Sequence, residues 1–346
     1  MGAWPLSYLS GDEPTVLVRQ QGRIGRITLN RPRALNALDV PMIRAVADAL
    51  AAWREDAAVQ AVVVEGAGGR AFCAGGDVRA LRALALEGRR AEVEAFFAAE
   101  YALNLAIARY PKPYVAVIDG ICMGGGIGLS VHGGIRVAGE GAVFAMPETG
   151  IGMFPDVGAT YALPRLRGAW GMYLALTGER LGGADAAWVG LATHLVPSAG
   201  LAGLVDAMAE DGAGVLAGMT VAPVAGEAVT GEAARGVAAF GAGSVAEIVA
   251  GLEAQGTAWA RAALGTLRRV SPLAVMVSFA AVRRGAGLTL EAALQAELAL
   301  TRGVVGHAEF MEGVRAAVVD KDRAPRWVHR RIEDVDAGEV AALLGG

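Results

Sequence analysis

Two acids and two glycine loops are the residues whose types and spacing could do chemistry. Glu148 and Asp156 lie in Phe144-Ala145-Met146-Pro147-Glu148-Thr149-Gly150-Ile151-Gly152-Met153-Phe154-Pro155-Asp156-Val157-Gly158, an otherwise apolar run fixed by prolines and glycines. Carboxyl groups in such surroundings are desolvated, which raises their pKa and suits general acid–base work if they come together. The alternative is plain helix chemistry, with Glu148 a first-turn acid and Asp156 an N-cap for Val157 onward. The loops are Phe72-Cys73-Ala74-Gly75-Gly76-Asp77 and Met123-Gly124-Gly125-Gly126-Ile127-Gly128, each after an apolar strand-like run. Glycine lets a backbone N–H approach a ligand closely, and the second loop opens a helix whose N-terminus favours negative charge. Two N–H groups aimed at one point would stabilise an oxyanion. The same loops could also be no more than tight strand-to-helix turns.

Other chemistries find little support. Gly124 to Gly128 does not complete GxGxxG, because Leu129 and Val131 stand where the last glycine is needed, and GxxxxGK[ST] is absent. The two lysines are Lys112, between Pro111 and Pro113 in what reads as a solvent-facing turn, and Lys321; neither suits a Schiff base. Ser130 and His132 lack a nucleophile elbow and point to different helix faces, so they read as a packed serine and a core or supporting histidine. The four histidines form no ligand pair, and Cys73 and Cys122 form no disulfide framework.

The elements that must position these residues read as α/β. Thr15 to Arg19 and Arg23 to Leu29 form a hairpin, a helix starts near Asp39, and Val59 to Val64 is a buried parallel strand. An amphipathic region from Leu81 to Arg109 leads to a second buried strand, Pro113 to Ile118, then to the glycine loop and short helix of Met123 to Val131, and to strands at Ile135 to Ala138 and Val143 to Ala145. Ala169 to Gly190 is helical in pattern. Gly200 to Gly256, low in complexity, reads as a hinge before helices at Ser244 to Gly251, Pro272 to Arg284, Leu290 to Arg302 and His307 to Val319. The expected organisation is an α/β core over 1–200 for binding and catalysis and a mainly helical region over 201–346.

A chain of 346 residues, 54% hydrophobic and 19% charged, can bury a large core. Its net charge of −4, with signs interspersed, offers no footprint for nucleic acid or an anionic membrane surface. The longest uncharged stretches, Ala186 to Val205 and Gly212 to Gly226, are broken by prolines and glycines and do not read as membrane spans. Met1 to Gly11 reads as neither a signal nor a transit peptide. With only two cysteines, a cytoplasmic location is expected.

Together these residues resemble the crotonase (enoyl-CoA hydratase/isomerase) superfamily. The resemblance rests on Ile27-Thr28-Leu29-Asn30-Arg31-Pro32 with Asn36-Ala37-Leu38, the Phe72 to Asp77 loop, Gly124-Gly125-Gly126, and Pro147-Glu148 followed by Gly152. It implies a spiral of ββα turns with a C-terminal helical region, an acyl-CoA thioester as substrate, and an oxyanion hole from the N–H groups of Gly76 and Gly125. Coenzyme A is then part of the substrate, with no further cofactor and no metal. Within the family the chain is similar to the branch that hydrolyses short, branched 3-hydroxyacyl-CoA thioesters, of which 3-hydroxyisobutyryl-CoA from valine breakdown is the expected substrate. That similarity runs through Leu129-Ser130-Val131-His132-Gly133, Leu163-Pro164-Arg165-Leu166, Leu174-Ala175-Leu176-Thr177-Gly178 and Gly190-Leu191-Ala192-Thr193-His194. It continues to Phe310-Met311-Glu312-Gly313-Val314-Arg315-Ala316 and Asp320-Lys321-Asp322 with Pro325 and Trp327.

One position separates chemistries. Hydratases of the superfamily carry a glutamate three residues after the oxyanion-hole glycine, where this chain has Gly128. The resemblance assigns Glu148 as nucleophile or general base, Asp156 to orient the 3-hydroxyl or the water, and Glu100 to bind the polar end of the acyl group; taken alone, Glu100 would pass as a solvated helix acid. Rival readings are an isomerase or hydratase of the same fold, with Glu148 as an isomerase's sole base, and a non-catalytic acyl-CoA-binding subunit. Association into a homo-oligomer stays open.

Overall fold

The structure, a computed structural model, describes residues 14–219 and 225–345. The reading of Met1 to Gly11 lies outside the described residues.

The chain is wound as a spiral in which each turn gives one strand to each of two sheets. The hairpin β1 (Val16–Gln21) and β2 (Ile24–Leu29) is followed by α1 (Val40–Trp53), β3 (Ala61–Gly66), β4 (Ala71–Cys73), α2 (Val78–Leu86) and α3 (Arg90–Ala108). The next turn is β5 (Tyr114–Ile118), β6 (Ile121–Met123) and α4 (Gly125–Val131). The third is β7 (Ile135–Ala138), β8 (Val143–Ala145), α5 (Ala159–Ala162) and α6 (Trp170–Thr177), and β9 (Leu181–Gly182), α7 (Gly183–Val189) and β10 (His194–Leu195) follow. One sheet has the order β1-β2-β3-β5-β7-β10 and the other β4-β6-β8-β9; β1/β2 and β8/β9 pair antiparallel and the remaining pairs are parallel. After β10 the described residues form α8 (Leu201–Asp211), α9 (Gly231–Gly236), α10 (Val245–Gln255), α11 (Ala258–Leu267), α12 (Pro272–Gly285), α13 (Leu290–Val304), α14 (Ala308–Val314) and α15 (Ala337–Leu343), with short 3-10 and π turns between some of them.

The apolar runs read as buried parallel strands are covered on both faces. Val62, Val64, Ala116 and Ile118 point into the main core, while Val63, Val115 and Val117 pack with Leu204, Val205 and Met208 of α8. On α1, Asp39 caps the N-terminus by accepting the Met42 N–H at 2.9 Å, and Met42, Ile43, Val46, Ala49, Leu50 and Trp53 form the buried face. Lys112, expected in a solvent-facing turn, instead donates to the carbonyls of Trp53 and Asp56.

Three further expectations change. The Leu81 to Arg109 region is two helices, broken at Gly88, whose φ of +75° a side chain would disfavour. The helical pattern over Ala169 to Gly190 is interrupted by β9, a two-residue edge too short for alternation to show. Gly200 to Gly256 is no bare hinge: α8 covers the large sheet, and Ala233, Val237, Phe240, Ile248 and Leu252 are buried in the main core. The Phe240 and Trp259 rings lie 5.1 and 5.2 Å from that of Tyr173, so aromatic packing anchors a stretch whose composition looked featureless.

Candidate active site

The first loop is held from below by the Asn36 motif. Asn36, wholly buried with φ +57°, donates to the carbonyls of Ala67 (3.0 Å) and Ala71 (2.9 Å) and accepts the Arg31 N–H at 2.9 Å. Asparagine tolerates this left-handed backbone, and its amide fills every bond that the turn offers. The next residues then clamp the loop: Ala74 N–H donates to Leu35 O at 3.0 Å, Leu38 N–H to Gly75 O at 2.8 Å and Asp77 N–H to Leu38 O at 2.9 Å. Arg31 closes the arrangement on Asp77 at 2.9 Å. These bonds leave the Gly76 N–H free. Among the described residues, neither it nor the Gly125 N–H at the start of α4 is given to a protein acceptor.

Both glycines line a cavity of about 380 Å³ together with Glu148, Asp156 and Glu100. Gly124, at φ +50°, and Gly125 lie hard against the acids: a first side-chain carbon at Gly124 would lie 2.9 Å from Glu148 Oε1, and one at Gly125 would collide with Glu100 Oε1 and displace that carboxyl. Glu148 begins a 3-10 turn, Glu148–Ile151, yet its carboxyl faces the cavity and Oε2 has no partner among the described residues. Asp156 does not cap a helix with its side chain. Gly158 stands at the start of α5, and the Asp156 carboxyl accepts the Tyr101 hydroxyl at 2.7 Å. Glu100 is no solvated acid: it is 2% exposed and its Oε1 is unpartnered among the described residues.

Three acids share one apolar cavity, and the charge of Asp156 raises the affinity of the other two for protons. Burial pushes Glu148 well above the usual carboxylate range, and the charge of Asp156 adds to this. Glu100 is raised in the same way, first by burial and then by Asp156. Asp156 rises only to about 6, since the Tyr101 hydrogen bond offsets part of the burial. Near neutral pH the arrangement therefore favours an ionised Asp156 beside carboxyls that hold their protons more tightly.

Gly128 is closed to a second acid. A first side-chain carbon there would stand 2.7 Å from Val157 Cβ and 2.9 Å from Asn104 Nδ2. The nearby polar residues have other occupations. Ser130 donates back to Gly126 O at 2.9 Å, and His132 bonds Val157 O through Nε2 at 2.7 Å, its pKa lowered to about 4 by burial.

The structure thus brings together every residue singled out from the sequence: Gly76, Gly125, Glu148, Asp156 and Glu100. Sequence reading missed the other walls. Phe96 and Phe97 of α3 line the cavity, as do Phe310, Ala317 and Val318 from the far end of the chain. Tyr101 was also missed; its place next to Glu100, one turn after Phe97, was the available signal. Phe310 belonged to a quoted motif, but nothing in a linear pattern shows that α14 folds back so that the Arg82 side chain donates to Met311 O at 2.8 Å.

Known proteins agree with this architecture. The family model described as enoyl-CoA hydratase/isomerase matches residues 24–344. A mitochondrial 3-hydroxyisobutyryl-CoA hydrolase of Xenopus laevis is 44% identical over 330 residues, covering 92% of this chain and 86% of that protein. The Homo sapiens protein of the same name is 41% identical over 331 residues, with the same coverage. Among solved structures, a carnitinyl-CoA dehydratase from Mycobacterium thermoresistibile superposes with a TM-score of 0.91 at 39% identity, over 96% of this chain and 97% of that one. An enoyl-CoA hydratase from Rhodobacter sphaeroides 2.4.1 gives 0.86 at 41% identity, with the same coverage.

The expected cytoplasmic location is corrected by the two 3-hydroxyisobutyryl-CoA hydrolases, which are mitochondrial by name. Two free, buried thiols report on redox conditions and do not separate the cytoplasm from another reducing compartment. Fold, loops and near full-length identity converge: the chain belongs to the enoyl-CoA hydratase/isomerase family, the crotonase superfamily.

Proposed function

We propose that the chain hydrolyses 3-hydroxyisobutyryl-CoA to 3-hydroxyisobutyrate and coenzyme A, as in valine breakdown, with no cofactor beyond the coenzyme A of its substrate. The observation that carries this reading is the asymmetry of the cavity. It holds Glu148 and Asp156 beside two free amides, while Gly128, packed on Val157 and Asn104, leaves no place for a second glutamate next to the oxyanion hole.

The thioester carbonyl accepts from Gly76 and Gly125 N–H, which stabilises the negative charge that develops when an oxygen nucleophile adds to the carbon. Glu148, once ionised, attacks to give an anhydride that water then opens, or takes the proton from a water that attacks directly. By either route the C–S bond breaks, coenzyme A leaves as the thiol and the acid keeps the new oxygen. Asp156 orients the 3-hydroxyl or the water. Glu100, whose protonated form burial favours, is suited to donate a hydrogen bond to the polar end of the acyl group. Adding water across a double bond asks for two positioned acid–base groups flanking it, each worth roughly two to four orders of magnitude, and Gly128 removes one.

The test compares thiol release from 3-hydroxyisobutyryl-CoA with hydration of a short enoyl-CoA, followed by loss of the conjugated double bond, on the purified chain. Rapid thiol release with little hydration is expected. Turnover of the enoyl-CoA alone, or of neither compound, would refute the proposal.

A further inference from the structure

The segment carrying Asp156 is held in a conformation that its own sequence disfavours. Val157, the next residue, has φ +54°. For a β-branched side chain this is a genuine outlier, and such outliers persist only where the surroundings over-determine them. Here they do. Glu297 of α13 accepts the Gly158 N–H on Oε2 at 2.7 Å, and the Thr160 N–H at 3.0 Å and hydroxyl at 2.5 Å on Oε1. His132 holds the Val157 carbonyl from the other side at 2.7 Å.

Glu297 is 1% exposed and does not line the cavity, so it is out of reach of a bound thioester. Its helix neighbours on the buried face are Ala293, Leu294, Leu300 and Val304, with Thr301 bonded back to Leu298 O within the helix, so an apolar residue would serve helix packing better. Burial raises the Glu297 carboxyl, while its three donors pull it back toward the ionised form that accepts them. An acid so placed calls for a role outside α13.

We propose that Glu297 is a positioning residue of the hydrolytic site: by gripping the amides of Gly158 and Thr160 it keeps Val157 left-handed and so keeps the Asp156 carboxylate aimed into the cavity beside Tyr101. The inference rests on the role given above to Asp156, and it requires that Glu297 act only through Asp156.

The test is a double-mutant cycle on the full chain with thiol release as readout. Glu297→Gln keeps the shape but turns a donor toward the amides. It should lower kcat roughly tenfold, since sub-ångström misplacement of a catalytic group is felt at about that scale, with KM within about twofold. In an Asp156→Ala background the same substitution should have no further effect. If Glu297→Gln does not fold, Thr160→Val, which keeps the amide and replaces the hydroxyl by a methyl group, is carried through the same cycle. A drop of a few fold that vanishes in the Asp156→Ala background supports the clamp. A drop equal in both backgrounds, or none, overturns it. Wild-type kcat in Asp156→Ala itself would overturn the role of Asp156, and the clamp with it.

Discussion

Substituting Gly128 by alanine tests the packing between α4 and the segment that carries Asp156. The added carbon would lie 2.7 Å from Val157 Cβ and 3.1 Å from Val157 Cγ2. Carbon atoms pack at about 3.5–4.0 Å, so the pair must part by roughly 0.8 Å. Gly128 sits within α4 and is buried against α3, so most of that movement falls on Val157, one peptide from Asp156. Alanine gains about 0.5–1 kcal/mol over glycine in a helix interior. Overpacking a well-filled core costs about 1–3 kcal/mol. The second effect outweighs the first, and Gly128→Ala should lose up to about 2.5 kcal/mol of stability in urea titration. Its effect on chemistry is of similar size in free energy, because a shift of about 1 Å in a catalytic group can cost about a hundredfold. With 3-hydroxyisobutyryl-CoA and a thiol reagent, kcat should fall between about tenfold and a hundredfold in protein that remains folded by circular dichroism. Wild-type kcat would show that Val157 and Asp156 do not move together, and the packing argument would fail.

Further outcomes follow from the same geometry. Glu148→Gln should remove most turnover while acyl-CoA binding, measured by calorimetry, stays near wild type, because the amide keeps the shape but can act neither as base nor as nucleophile; near wild-type kcat would make this acid structural. Since Glu148 must lose its proton to act and is held above its ordinary value of 4.5, kcat/KM should rise with pH along a limb centred above 4.5, and Asp156→Ala, by removing a nearby negative charge, should move that limb to lower pH. A limb at the ordinary carboxylate value in both proteins would refute the desolvated site. Tyr101→Phe should cost about tenfold in kcat with KM little changed, as expected for loss of one hydrogen bond to a charged group; an unchanged kcat would mean that Asp156 needs no such partner.

The local order of this chain determined a good deal. Val62 to Val64 and Val115 to Ile118 are apolar on successive residues in short runs, as a strand covered on both faces needs, so the parallel sheet was legible in the sequence alone. Asp39 with Pro41 marked the start of α1 for a reason internal to the helix, its unpaired N–H groups. Glycines before a short helix announced close backbone approach, and Glu148 and Asp156 stood out as acids in an apolar run, while the roles of Gly76, Gly125 and Glu100 came from the family resemblance of their motifs. What tertiary structure alone decided is every relation between distant segments. Three-residue strands such as β4 and β6 have no period to read and exist because the sheet closes on them. Glu100 changes from a solvated acid to a buried one only when α3 is laid across α4. Phe310 and Val318 become cavity walls, and Glu297 reaches Gly158 from 139 residues away, only because the C-terminal helices return to the spiral. Hydrogen bonds and desolvation act over a few ångströms of space whatever the distance along the chain, so which acid is dry, strained or clamped is a property of the fold.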